Sequence, residues 1–184
     1  ASTVYTVLDQ LTGIVFEDCV FYGGIDTAAA QSLWLQTSQN IEFRGRNKIA
    51  LAITDENTSY PLRLTTTSNI EAEELILLGG GVLATAASNN ILIDNFKYGY
   101  PPGRGATEAN QNGLSLTGVD GWLISSGNLV SGGKFPTIGL ALFTDCSDIT
   151  VRGWGSPTSK VNGGNRLTYI CSMAGICGDI KFQR

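Results

Sequence analysis

The chain has 184 residues, one domain's worth, with 42% apolar and only 15% charged side chains and a net charge of −4. It contains no His, which removes His-based catalysis and His metal ligation. Its Lys and Arg are scattered, apart from Arg44, Arg46 and Lys48, so the basic excess of a nucleic-acid footprint is missing. No apolar run approaches the length of a membrane span, and neither membrane insertion nor nucleic-acid binding is expected.

In chain order, a bulky apolar anchor follows directly on Gly, Asn or Asp at Gly13-Ile14, Asn40-Ile41, Asn69-Ile70, Asn90-Ile91, Gly121-Trp122, Asp148-Ile149 and Asp179-Ile180, with spacings of 27, 29, 21, 31, 27 and 31 residues. Repeats of this length signal a solenoid. Two residues beyond the anchors stand Phe16, Phe43, Ala72, Ile93, Ile124, Val151 and Phe182, all apolar. Between them lie Val15, Glu42, Glu71, Leu92, Leu123, Thr150 and Lys181, the outward members of a half-buried strand. Three before the anchors come Leu11, Ser38, Thr67, Ser88, Val119, Cys146 and Cys177, small enough to stack in a narrow corner. Six before come Leu8, Leu35, Leu64, Thr85, Leu116, Phe143 and Ala174, apolar except for Thr85. Each repeat therefore reads as strand, tight bend, strand. Gly, Asn and Asp enter the left-handed backbone region at least cost, so each bend is expected to need positive φ before its anchor.

A further strand is expected where Cys19 and Phe21, Leu75 and Leu77, and Phe96 and Tyr98 share offsets of five and seven beyond their anchors. Thr27–Leu35 is the best candidate for one short turn or helix. The excess length of the longer repeats falls in Gly45–Pro61, Lys97–Asn112, Gly127–Gly139 and Gly153–Arg166, expected to project from one side of the coil. Cys19, Cys146, Cys171 and Cys177 match no zinc or redox spacing. Cys146 and Cys177 share a column and read as buried small side chains, with a disulfide as the alternative. No metal or cofactor is expected. The chain begins without Met or a signal segment, inside a strand, and reads as a single β-helix domain over 1–184 cut from a larger protein.

Ser38-Gln39-Asn40-Ile41-Glu42-Phe43, Ser88-Asn89-Asn90-Ile91-Leu92-Ile93 and Cys146-Ser147-Asp148-Ile149-Thr150-Val151 resemble the coils of right-handed parallel β-helix proteins. That superfamily includes pectate lyases, polygalacturonases and bacteriophage tailspikes. The resemblance covers about Val7 to Phe182 and implies an all-β, single-stranded right-handed parallel β-helix of about seven coils. It is most like the β-helical body of a tailspike, which implies a homotrimer on a phage tail or outside the cell that recognises bacterial surface polysaccharide. Such proteins often cleave their glycan, and an enzyme here would be an endo-acting glycoside hydrolase on capsule or O-antigen. The other readings are a non-catalytic virion spike or adhesin stalk and a pectin-lyase-like enzyme. The missing His and the lack of an assembled acidic-and-basic cluster disfavour the pectin-degrading activities.

Three beyond the anchors, Glu17, Arg44, Glu73, Asp94, Ser125, Arg152 and Gln183 form an outward polar stripe. Glu73 and Asp94 would sit about 4.8 Å apart on successive coils, close to the ~5–5.5 Å carboxyl separation of retaining glycosidases, which makes them the candidate catalytic pair. A solvated stripe in which Arg44 neutralises Glu73 is the alternative. Glu42 and Glu71 form a second such pair. The segment 96–104, with Tyr98, Tyr100 and Arg104 around Pro and Gly, suits a sugar-stacking edge or plain loop packing. Trp154, Arg44 and Trp34 are further carbohydrate-binding candidates, whereas Trp122 reads as core. The outward apolar Val15, Leu92 and Leu123 suit either a trimer seam or a covering loop.

Overall fold

The left-handed step before each anchor organises the structure. A computed structural model describes residues 4–24, 31–52, 60–99, 112–125, 128–129, 139–153 and 169–183. Gly13, Asn40, Asn69, Asn90, Gly121, Asp148 and Asp179 all have positive φ, between 49° and 71°. After each one the chain enters a strand, and the anchors pair in unbroken order: Ile14, Ile41, Ile70, Ile91, Trp122, Ile149 and Ile180. The inward column two residues on and the outward column between them follow the same register. The fold is a parallel β-solenoid.

Its first face is a seven-stranded parallel sheet of Val4–Asp9, Gln31–Gln36, Leu62–Thr65, Val82–Thr85, Asn112–Thr117, Gly139–Thr144 and Tyr169–Ala174. The second face comprises Thr12–Glu17, the first part of Gln39–Ala52, the first part of Ser68–Leu78, then Asn89–Ile93, Asp120–Ser125, Ser147–Arg152 and Gly178–Gln183. A third, shorter face joins Val20–Gly24, the later parts of Gln39–Ala52 and Ser68–Leu78, Phe96–Gly99 and Asn128–Leu129. The inner side chains of the three faces meet in one core, in which Leu33, Leu64, Ile91, Trp122 and Phe143 are at most 1% exposed. Burying each such side chain stabilises the fold by roughly 1.5–3 kcal/mol.

The corner between the first and second faces holds the small-residue column. Ser38, Thr67, Ser88, Val119 and Cys146 are buried there. The carbonyls of Leu11, Ser38, Thr67, Val119 and Cys146 each accept from an N–H of the following coil at 2.8–3.1 Å. The hydrogen-bond ladder thus continues around the bend, as buried backbone groups require. A second left-handed residue opens most of these corners, four positions before the anchor: Gln10, Thr37, Thr66, Ala87, Gly118 and Asp145. Sequence reading misses this position because several of its residues are not types that favour positive φ.

Two corners carry one residue more than the rest, which corrects the apolar column six before the anchors. Leu64 pairs with Ala84, not Thr85, and Phe143 pairs with Met173, not Ala174. Ala84 is fully buried, so the apparent exception at Thr85 disappears, and Thr85 instead pairs with Thr65. The short turn or helix expected over Thr27–Leu35 is corrected for its described part. Gln31–Gln36 is a strand paired on both sides, while residues 27–30 lie outside the described residues. The excess segments begin later than their sequence suggests, since Gly45 to Ala52 and Lys97 to Gly99 belong to third-face strands. The shortest coil closes through Gly79, Gly80 and Gly81. A Cβ on Gly81 would stand 1.8 Å from the Gly113 carbonyl oxygen, so no larger residue fits this stacking.

The four cysteines are free thiols. Burial pushes the Cys171 thiol up to about 11, with Cys177 adding to the shift. Burial likewise raises the Cys146 thiol and the Tyr98 phenol. The unfolded chain begins to lose thiol protons near pH 8.5, while Cys146 and Cys171 of the folded chain still hold theirs. Stability is therefore full below that pH and falls as pH rises toward 11. Urea unfolding at pH 7.5 and 10.5 is expected to show the lower midpoint at 10.5. Thr66 is β-branched and exposed in the left-handed region, with φ of 53°. Thr66→Asn is expected to raise the unfolding free energy by about 1 kcal/mol, read from the same urea curves at pH 7.5.

Candidate functional site

The outer surface of the second face is built from two parallel rows. Along the corner run Asn40, Asn69, Asn90, Gly121 and Asp148, which precede the anchors; beside them run Glu42, Glu71, Leu92, Leu123 and Thr150, which follow the anchors. Alternation sends both rows outward because the anchors between them point into the core. The rows enclose an open groove of about 540 Å3 from Asn69 and Glu71 to Asp148, Thr150 and Arg152. A hollow of about 220 Å3, lined by Asn40, Glu42, Asn69 and Glu71, extends it by one coil. Five rungs at roughly 4.8 Å each make a track about 19 Å long.

The chemistry changes along this track. At one end Glu42 accepts from Arg44 Nε and Nη2 at 2.6 and 2.8 Å, a fork that holds the Glu42 carboxyl below the usual carboxylate range and raises the guanidinium. In the corner row the Asn side chains form a ladder: Asn69 Nδ2 donates to Asn40 Oδ1 at 3.0 Å, and Asn90 Nδ2 donates to Asn69 Oδ1 at 3.3 Å. Leu92, which is 37% exposed, and the half-buried Leu123 form an apolar patch in mid-groove. Arg152 closes the far end, its Nε donating to Gln183 Oε1 at 2.9 Å. Hydrogen-bonding groups on either side of an apolar strip suit a ligand with a polar rim and an apolar face.

Glu73 and Asp94 stand on successive coils, directly after the paired Ala72 and Ile93. Their carboxyls serve the corners. Glu73 Oε2 accepts the N–H of Gly45, a residue with φ of +63°, and Asp94 Oδ1 accepts the N–H of Asn95 at 3.0 Å. Asp18 and Asp145 act similarly, binding the N–H groups of Arg46 and Ile176 at 2.8 and 2.9 Å. Arg44 forks onto Glu42 rather than pairing with Glu73. In the alternative reading Arg44 neutralises Glu73; its direct partner is instead Glu42 on the same strand. The bulge between Phe43 and Arg46 breaks the register toward Glu73, which acts on the guanidinium only through a weaker coulombic pull.

The sugar-stacking role expected of Tyr98 is also corrected. Tyr98 is 2% exposed, pairs with Leu77 on the third face and stacks on Phe96 with ring centroids 5.3 Å apart. A ring packed into the core cannot offer its face to a ligand. Tyr100, Arg104 and Trp154 lie outside the described residues. Trp34 is half-buried on the first face; the Arg63 guanidinium lies 4.2 Å from its ring centroid and Trp34 Nε1 donates to Thr65 Oγ1 at 3.0 Å. Trp122 is core, as expected, and its Nε1 donates to the Ser88 carbonyl at 2.7 Å. Among the described residues no group of three or more His, Cys, Asp or Glu side chains could hold a metal ion.

Sequence reading missed the Asn40–Asn69–Asn90 ladder, because it treated those residues only as backbone devices. The signal was their identity: three amides in one column can bond to each other as well as turn the chain.

The architecture places the protein in the class of parallel β-solenoids. No family model matches the chain, and no curated protein or solved structure matches it.

Glu73→Ala removes the acceptor that holds the Gly45 N–H and is expected to cost about 1 kcal/mol of unfolding free energy, measured by urea denaturation. Asp94→Ala breaks only a bond to its neighbour and is expected to cost less.

Proposed function

We propose that this chain is the β-helical body of a tailspike-like receptor-binding protein, carried on a virion or displayed outside the cell, and that it holds a bacterial surface polysaccharide along the second face. The observation that carries this reading is the groove from Asn69 to Arg152, with the adjoining hollow at Asn40 and Glu42, along which amides, carboxylates and two leucines stand at the coil spacing. A polysaccharide is itself a linear repeat with hydroxyl edges and apolar ring faces. A solenoid surface presents matching groups at each step, so many weak contacts add along one chain. The proposed action is binding: Glu73 and Asp94 are engaged in the corners, and cleavage is no part of the reading.

The exposed Leu92 beside Leu123 favours a second reading, a non-catalytic spike whose three copies pack against one another at this face. One pair of measurements separates the two. A panel of purified capsular and O-antigen polysaccharides is titrated against the protein and against Glu71→Ala/Leu123→Ala. Under the binding reading one member binds, and the double variant weakens it at least tenfold without changing the sedimentation coefficient. Absence of binding throughout the panel, with the double variant dissociating a trimer to monomers, would replace that reading with the spike.

A further inference from the structure

The corner row changes character at one rung. Asn69 and Asn90 each donate their amide toward the preceding coil, so the Oδ1 of each faces the coil that follows. After Asn90 the next residue in the row is Gly121, which has no amide. No described residue donates to Asn90 Oδ1, and a Cβ on Gly121 would stand only 2.8 Å from it. The space is open because the residue is glycine. Asp148 is the next residue in the row, so the gap between the Asn90 and Asp148 side chains spans two rungs, about 9–10 Å.

The two side chains that border this gap along the row present acceptors to it. Asn90 Oδ1 and the Asp148 carboxylate border it, and neither receives a hydrogen bond or ion pair from a described residue. Glu71, two coils back, is likewise without an ion pair. Of the cations along the face, Arg44 forks onto Glu42, while Arg152 lines the far end of the groove with its Nε on Gln183, and Lys181 follows Thr150 on the next coil. Leu92 and Leu123 supply apolar surface beside the gap.

We propose that the gap at Gly121 is a specificity-determining subsite for an amino sugar, a ring that presents an ammonium group next to hydroxyls. The proposal rests on the polysaccharide-binding reading and deepens it. The hydroxyls donate to Asn90 Oδ1, the ammonium group pairs with Asp148, and the C–H face of the ring covers Leu92 and Leu123. A charge-assisted bond is the stronger kind, and a uronic acid would instead bring its carboxylate against acceptors on both sides. Selection thus includes rejection of the acidic alternative.

The natural repeat provides the test. Asn occupies this left-handed position in three other coils, at φ of 53–57°, and Gly121 has φ of 69°. Gly121→Asn can therefore fold and extend the ladder while filling the gap. The protein, Gly121→Asn and Asp148→Asn are titrated by calorimetry with a β-1,4-linked glucosamine hexamer and a galacturonate hexamer, and circular dichroism melts check folding. The glucosamine hexamer is expected to bind the unsubstituted protein, with at least tenfold loss in each variant and melting temperatures within a few degrees of it. The galacturonate hexamer is expected not to bind. Tighter binding of the galacturonate hexamer, unchanged affinity in folded Gly121→Asn, or binding of neither hexamer would each overturn the amino-sugar subsite. The polysaccharide panel would still decide the wider reading, so the two failures are distinguishable.

Discussion

Everything in this fold depends on a backbone that can turn left-handed at a fixed point in every coil. Without positive φ before the anchor, the chain could not leave the corner with its amides still directed along the solenoid axis. The corner carbonyls from Leu11 to Cys146 would then lose their partners in the next coil. An unmade backbone hydrogen bond in a buried corner costs more than the left-handed strain it would avoid. This explains why Thr37 and Thr66 tolerate a conformation that is costly for β-branched residues. It also explains why the anchors keep register through repeats of unequal length, since excess residues fall outside the corner except for the one added at Ala86–Ala87, both left-handed, and the one added after the left-handed Gly175.

A fixed corner makes the surface regular as well as the core. Residues on either side of each anchor are carried to the outside at a constant rise, and the second face becomes a groove with two rows of chemically graded side chains. The carboxylates that happen to fall in the corners behave differently from those on the face. Glu73, Asp18 and Asp145 cap main-chain N–H groups of other coils, whereas Glu71, in mid-strand, lines the groove. The difference is positional. A corner leaves N–H groups within reach of a side chain, and a ladder in mid-strand does not.

Much of this was legible before any coordinates. The Gly, Asn or Asp before each anchor located all seven left-handed residues, and the two-residue alternation placed Phe43, Ile93 and Val151 inside. Tyr98 shows where legibility was present but overridden. Its offset matched that of Leu77, a strand position, yet its place beside Gly99, Tyr100 and Pro101 suggested a loop. The pairing with Leu77 put the ring in the core. Gln31–Leu35 differs for another reason: pairing of Gln31–Gln36 with strands on both sides decides its conformation, whatever the local propensity. The one-residue insertions were illegible because counting from the anchor cannot distinguish Ala84 from Thr85 when both are small.

The sequence by itself determined the repeat, the bend chemistry and the division into inward and outward columns, because these follow from local φ preference and a period of two. Only the tertiary structure decided which outward residues meet. Whether Arg44 reaches Glu42 or Glu73, whether an Asn bonds its own turn or the Asn of the next coil, and whether a glycine leaves a gap all depend on coil-to-coil register and local bulges. Those are set by contacts between residues 21 to 31 apart in the chain, beyond the reach of any local pattern.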